Sequence, residues 1–289
     1  MKSFLTFLVI LITPVAFAQL GGVQLGERYV PHSGTSFYHQ KEHFVFEVTW
    51  TKKSVYIQKF DLRTKHEAAV FEFKDLLPGF VIEGLETIGE KTYVFYSVLD
   101  KKQGVTALLA RELNEETAQL GDQTIELWVV EGGTAWGVND RNFNTGTALP
   151  NFSLKVSGNQ SHLSVMCELK HKKMAKNIDY KTKVFSTGLK EVYGADLPAS
   201  KYEGDNWLYD HGVSDLGVAF AIMREKTTVG PTYDLSSHLY AIKAGKVNEV
   251  AIDYKEKQLK SGTFFNTSDG CMFAGFYQNR EKKNTVGLL

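Results

Sequence analysis

The stretch Glu90–Asn114, EKTYVFYSVLDKKQGVTALLARELN, decides how the rest of this chain reads. Tyr93–Leu99 is a dense β-branched and aromatic run, Asp100–Gly104 is a polar turn, and Val105–Leu113 is a second apolar run that ends in charge. Two strands joined by a tight polar turn is the plainest reading. On that reading Lys101, Lys102 and Arg111 are ordinary charges of a turn and an outer strand, and the hairpin forms the inner pair of its unit.

A second copy of this pattern lies upstream. VYIQKFDLRT at 55–64 and VTALLARELN at 105–114 both have an apolar first half, a Lys or Arg near the middle and an acidic residue just before Leu. Both follow a turn containing Lys-Lys, and they lie about 50 residues apart, the length of one four-stranded unit in several repeat architectures. LLARELNEETAQL could also wrap as a short helix. The β-branched and aromatic partner at 55–64 favours strand and then turn.

Three later segments, SGNQSHLSVMCEL (157–169), VSDLGVAFAIM (213–223) and NTSDGCMFAGFY (266–277), share a rhythm in which a polar turn feeds an apolar strand. SHLYAIK, Ala244-Gly245 and VNEVAI form a further clear hairpin at 237–252, and Arg224–Asp234 reads as a polar connector. Much of each strand is apolar on both faces, which suits sheets stacked face to face rather than a sheet with one wet side. The expected fold is therefore all-β, a β-propeller of about 50-residue blades. A large β-sandwich or an open hairpin array is the alternative. The blades fall at 37–75, 76–130, 147–199 and 204–255, with a partial one at 258–289. Because the chain stops on Val286-Gly287-Leu288-Leu289, within what reads as a strand, either an unusually short last blade or, the preferred reading, an incomplete ring from a fragment of a longer gene is expected.

The first 18 residues read as a cleaved export signal: Lys2, the apolar stretch Phe4–Ile12, a break at Thr13-Pro14, and the small–x–small pattern Ala16-Phe17-Ala18. Gln19–Ser36 is a polar, Gly-rich lead-in, and 37–289 is taken as a single domain. The expected location is exported, periplasmic or extracellular, with no stable membrane anchor. Lys+Arg and Asp+Glu both number 33, so no global field gathers nucleic acid or anionic lipid. Hydrophobic content of 43% is enough for a real core. Cys167 and Cys271 sit in the apolar runs VMCEL and CMFAGF. They read as buried small hydrophobes rather than a bridge, although export would permit one.

These hairpins resemble those of the uncharacterised exported β-propeller-like (WD40/kelch-like) proteins common in Bacteroidota. FSLKVSGNQSHLSVMCEL (152–169), VFSTGLKEVY (184–193), HLYAIKAGKVNEVAIDY (238–254) and TFFNTSDGCMFAGFY (263–277) carry the resemblance. It covers roughly 150–289 well and 37–130 more loosely. Asn159 and Gln160 stand where that family carries Pro and Asp. The resemblance implies a propeller and an exported location, and it brings no catalytic residues with it.

Catalytic signatures are missing from the sequence: no G-x-G-x-x-G, Walker loop, H-E-x-x-H, C-x-x-C or G-x-S-x-G occurs. The eight histidines are scattered; His39 and His43 are four apart but need not face each other. Asp205, Asp210 and Asp215 surround Trp207 and Tyr209, the composition of a glycan site with paired carboxylates beside an aromatic platform. Aspartates capping turn N–H groups supply the same composition and are the preferred reading. The loop Asn139–Asn144 is oxygen-rich but lacks the Gly and final Glu of a calcium loop. The basic run HKKMAKNIDYKTK (171–183), in which Met174 and Tyr180 could stack, reads as a solvated hairpin loop, with contact to phosphate or an acidic polymer as the alternative. Of Trp128 and Trp136, the first reads as core. No catalytic, cofactor-binding or metal residue is assigned. The expectation is a non-enzymatic binding or assembly platform with a protein or glycan partner, leaning away from an enzyme. The alternative is a propeller enzyme, a hydrolase or lyase acting on extracellular glycan. The two differ in whether carboxylates or histidines from separate blades converge on the central channel.

Overall fold

The computed structural model describes residues 35–51, 54–76, 79–100, 102–131, 150–170, 178–198, 206–229, 232–250, 257–267, 270–279 and 286–288. The proposed signal segment, most of the lead-in, the Asn139–Asn144 loop, Trp136, Lys101, Met174 and Asp205 lie outside them. The described chain folds into five antiparallel sheets, each built from consecutive strands paired in chain order. The first holds β1 (Thr35–Lys41), β2 (Phe44–Trp50), β3 (Val55–Asp61) and β4 (His66–Phe73). The second holds β5 (Phe80–Ile88), β6 (Lys91–Asp100), β7 (Val105–Asn114) and β8 (Gln119–Glu131). The third holds β9 (Asn151–Val156), β10 (His162–Lys170), β11 (Ile178–Ser186) and β12 (Glu191–Asp196). The fourth holds β13 (Asn206–Val213), β14 (Ala219–Val229), β15 (Thr232–Lys243) and β16 (Lys246–Val250), and the fifth β17 (Lys257–Asn266), β18 (Cys271–Asn279) and β19 (Val286–Leu288).

The first strand of each sheet lies against the first strand of the next: β1 on β5, β5 on β9, β9 on β13, and β13 on β17. That is how propeller blades meet, with first strands innermost. No helix long and apolar enough to cross a membrane occurs among the described residues.

Alternation along the middle strands explains their density of apolar residues. On β6, Val94, Tyr96 and Val98 join the core between the first and second sheets, with Phe46, Ile57 and Ile82. Tyr93 and Phe95, on the opposite face, join a core shared with Leu163, Val165, Cys167 and Phe185 of the third sheet. Met166 turns the other way, toward Val213, Ala221, Met223 and Ile242 of the fourth. Phe220 continues the series to Phe264 of the fifth at 6.2 Å between ring centroids, and Phe264 meets Phe273 edge-on at 5.3 Å. Both faces of these strands are covered, so the usual polar side of an antiparallel hairpin disappears. Cys167 is fully buried in this packing, Cys271 is half-buried, and both are free thiols. Burial pushes the Cys167 thiol up to about 12.

Turn chemistry agrees with the strands. Ala244 and Gly245 both have positive φ (48° and 78°), the pair of left-handed residues that a two-residue hairpin turn requires. This sets the β15–β16 register Lys243↔Lys246. The related stretches at 55–64 and 105–114 are β3 and β7, the third strands of successive sheets.

Several local expectations are corrected. Glu90–Asn114 is β6–β7, the two middle strands of its sheet, because β5 takes the inner place. The β1 segment TSFYHQK, mostly polar, is an inner strand although its pattern does not announce one. The supposed connector at 224–234 is largely strand, since β14 and β15 continue as a long ladder to Val229↔Thr232. Within the basic run, residues from Ile178 onward belong to β11, and Tyr180 is buried rather than free to stack. Trp128 is buried in the core, as its strand setting suggests.

Arg111 is the largest of these revisions. Its side chain is 5% exposed, with Nη1 2.9 Å from Asp75 Oδ2 and Nε donating to the Gly121 carbonyl at 2.6 Å. It thus ties β7 to β8 and to the connection between the first two sheets. Arg111→Met keeps the aliphatic stem and removes both charged hydrogen bonds. A loss of about 2 kcal/mol is expected, since Asp75 is mostly exposed and contributes less than a buried partner would. The urea midpoint checks it; an unchanged midpoint refutes the role.

Candidate active site between the inner strands

Polar groups gather where the first strands of the sheets meet. On β9, Phe152, Leu154 and Val156 face the second sheet, leaving Ser153 and Lys155 on the opposite face. On β13, the ladder shifts between Leu208 and Asp210, and this bulge places Trp207 and Asp210 opposite Arg224 and Ile222, which are two apart on β14. Trp207 and Asp210 therefore share the face that looks to the fifth sheet, while Leu208 and His211 look to the third. Bulges commonly re-aim a side chain beside a functional site.

Asp210 is heavily engaged. Its Oδ2 accepts from Thr263 Oγ1 and from the Phe264 backbone N–H, each at 2.9 Å. Its Oδ1 accepts from the His211 N–H at 2.9 Å and lies 3.5 Å from Lys155 Nζ. Four donors from three sheets thus converge on one carboxylate. Tyr209, the bulge residue, lies under the Arg224 guanidinium at 3.8 Å.

Glu86 reaches the same region from β5. Burial raises its carboxyl pKa from 4.5 to about 7, and the nearby Lys155 cation opposes that rise only in part. A carboxyl poised near neutrality can both give and take a proton. Lys155→Met removes the opposing charge, so the Glu86 pKa should climb further. A carboxyl-resolved NMR titration reads this directly, and an unmoved midpoint would separate the two residues.

His211 is fully buried. Burial drives its imidazole pKa down to about 3, with Lys155 adding to the fall, so the ring is neutral. Its Nε2 shares a 2.9 Å hydrogen bond with Ser153 Oγ, and its Nδ1 has no hydrogen-bond partner among the described residues. This ring pins β13 to β9 and holds the backbone N–H that Asp210 accepts. At the junction of the first two sheets, His39 Nε2 shares a 2.8 Å hydrogen bond with Thr87 Oγ1. His43 instead packs its ring 4.0 Å from Phe44, so the two do not form a pair.

Of the aspartates singled out in sequence, Asp205 lies outside the described residues, Asp210 belongs to this cluster and Asp215 does not. Asp210 lies in a strand, because the bulge rather than a turn sets its direction. Asp215 does sit in a turn, and it accepts from the Asn159 N–H at 2.9 Å, joining two turns of neighbouring sheets. Glu86, Lys155 and Thr263 were not legible as site residues: each lies in its own strand, far from the others in sequence. Among the described residues no group of three or more His, Cys, Asp or Glu is placed to hold a metal ion.

No family model and no curated protein matches the sequence. Similar solved structures include the polysaccharide lyase Uly1, at 8% identity over 92% of this chain and 72% of that one, with a TM-score of 0.49. An α-L-arabinanase of Penicillium chrysogenum, solved with arabinobiose, shares 9% identity over 91% and 79%, with a TM-score of 0.47. The β-propeller domain of the trilobed protease of Pyrococcus furiosus shares 9% over 88% and 70%, with a TM-score of 0.45. With ionisable groups gathered on Lys155 and Asp210 from separate sheets, the expectation of a non-enzymatic platform is corrected. Missing motifs were its ground, and groups contributed one per sheet leave no motif to find.

Proposed function

We propose that this chain is an exported enzyme acting on glycans, with its active site between the inner strands at Glu86, Lys155 and Asp210. The observation that carries the reading is the convergence itself: the two sheets flanking that of Lys155 each place an ionisable side chain beside it, Glu86 on one side and Asp210 on the other. In this reading Glu86 transfers the proton, since its burial sets it near neutrality. Lys155 offsets negative charge developing on the sugar, and Asp210 orients Lys155 through their 3.5 Å contact. Trp207, half-buried on the Asp210 face, supplies an aromatic surface for a sugar ring. The export-signal pattern at 1–18 and the resemblance to exported propeller-like proteins support a substrate outside the cytoplasm.

Purified protein incubated with neutral and acidic polysaccharides tests the proposal, with new reducing ends scored for cleavage and ultraviolet absorbance for a new C=C bond. Turnover of at least one glycan by the wild type and not by Glu86→Gln is expected. A rise in reducing ends without absorbance identifies hydrolysis, and both together identify elimination. Binding without turnover across the panel, or turnover untouched by the substitution, overturns the assignment.

A further inference from the structure

A separate polar feature lies between the first two sheets and shares no residue with the inner-strand cluster. Lys59 on β3 is 7% exposed and stands opposite Phe46 in the ladder. Its Nζ lies 3.8 Å from the centroid of the Phe44 ring and 5.9 Å from that of Phe46. Its hydrogen bond is a long one, 3.4 Å to the Glu116 carbonyl. Among the described residues no carboxylate pairs with it. An ammonium group carries three donors, and a buried charge is ordinarily matched by a counter-charge. Among the described residues, Lys59 thus has one donor engaged and its charge matched by no carboxylate.

The ammonium opens on a cleft of about 140 Å³, lined by Lys41, Glu42, Phe44, Phe46, Lys59, Glu115 and Glu116. Lys41 is already compensated, with Nζ 2.7 Å from Glu115 Oε1. Among the described residues of that lining, Lys59 is thus the cation without a carboxylate partner, and it sits against an apolar wall. Glu42 and Glu116 are exposed at the rim, so a dianion entering the cleft would meet repulsion that a monoanion meets less. The volume lies well below that of a drug-sized pocket.

We infer that this cleft binds a small hydroxylated monocarboxylate of the sugar-acid class. Its carboxylate takes the free donors of Lys59, its C–H face rests on Phe44, and its hydroxyls donate to the glutamates at the rim. Cation and aromatic face together suit a ligand that is charged at one end and amphipathic along its body.

Titration of the full chain with gluconate, followed by ¹H–¹⁵N NMR, tests the inference. Saturable shifts are expected at millimolar gluconate, confined to residues 41–46, 59 and 115–116. Sorbitol, the neutral analogue, should give none, and phosphate should bind more weakly. Lys59→Met should weaken gluconate by about tenfold or more, and Lys59→Arg should retain it. The localisation of the wild-type shifts keeps the test decisive should Lys59→Met not fold. Absence of saturation, shifts elsewhere, equal response to sorbitol, tighter binding of phosphate, or an unweakened folded Lys59→Met would each overturn it.

Discussion

Replacing Glu86 by Gln is expected to stabilise the protein at pH 8 by about 3 kcal/mol while lowering turnover by about 10²- to 10⁴-fold. The two effects have one cause. Burial raises the Glu86 pKa from 4.5 to about 7, so between those values the folded state holds a proton that the unfolded chain has released. Stability from this group is then fully present below pH 4.5 and is lost as pH rises through about 7. Each pH unit of separation is worth about 1.4 kcal/mol, which sets the size of the effect. Gln is neutral throughout and carries no such loss, so the advantage of the variant over wild type should grow from pH 5 to pH 8. Urea denaturation at the two pH values reads the gap, and turnover on the glycan found by screening reads the chemistry. An advantage that does not change with pH would show that Glu86 is not strained by its setting. A stability gain without loss of turnover would leave the burial argument intact and remove Glu86 from the reaction.

Phe95→Ala is expected to cost about 3–5 kcal/mol. Phe95 is fully buried on β6, with Tyr93 at 6.2 Å on the same face, in the core that joins the second and third sheets. Neighbours on this face come from two sheets locked by their own ladders, so they can collapse only partly into the cavity. At this chain length, a fall in melting temperature of about 10 °C follows. The same substitution should reach the site. Glu86 on β5 and Lys155 on β9 are brought together by the apposition of these two sheets, so loosening it readmits water and lets the Glu86 pKa fall back toward 4.5. A melting temperature within 2 °C of wild type, roughly what surface substitutions give, would mean that the sheets are not held by this core.

Much of the architecture is readable in the chain because β structure is written locally. Tyr93–Leu99 is apolar at successive positions, and a strand so composed must be covered on both sides; the cores on either face of β6 are that cover. Turn residues such as Ala244-Gly245 mark where the strands reverse, and the likeness of 55–64 to 105–114 reflects two third strands in successive sheets. The inner strands were harder to read. β1 is mostly polar, because an inner strand asks for less apolar cover than a middle strand needs. Arg111 looks like any surface charge in sequence, and only the approach of Asp75 and Gly121 makes it buried.

The hairpin repeat, the strands covered on both faces and the all-β class were determined by the sequence alone, since each follows from residues within a few positions of one another. Which strand lies innermost, where the bulge turns Asp210, and that Lys155 stands near both Glu86 and Asp210 were decided only by tertiary structure. Those three side chains sit on strands that share no local pattern, and the stacking of separate sheets brings Glu86 and Asp210 within reach of Lys155.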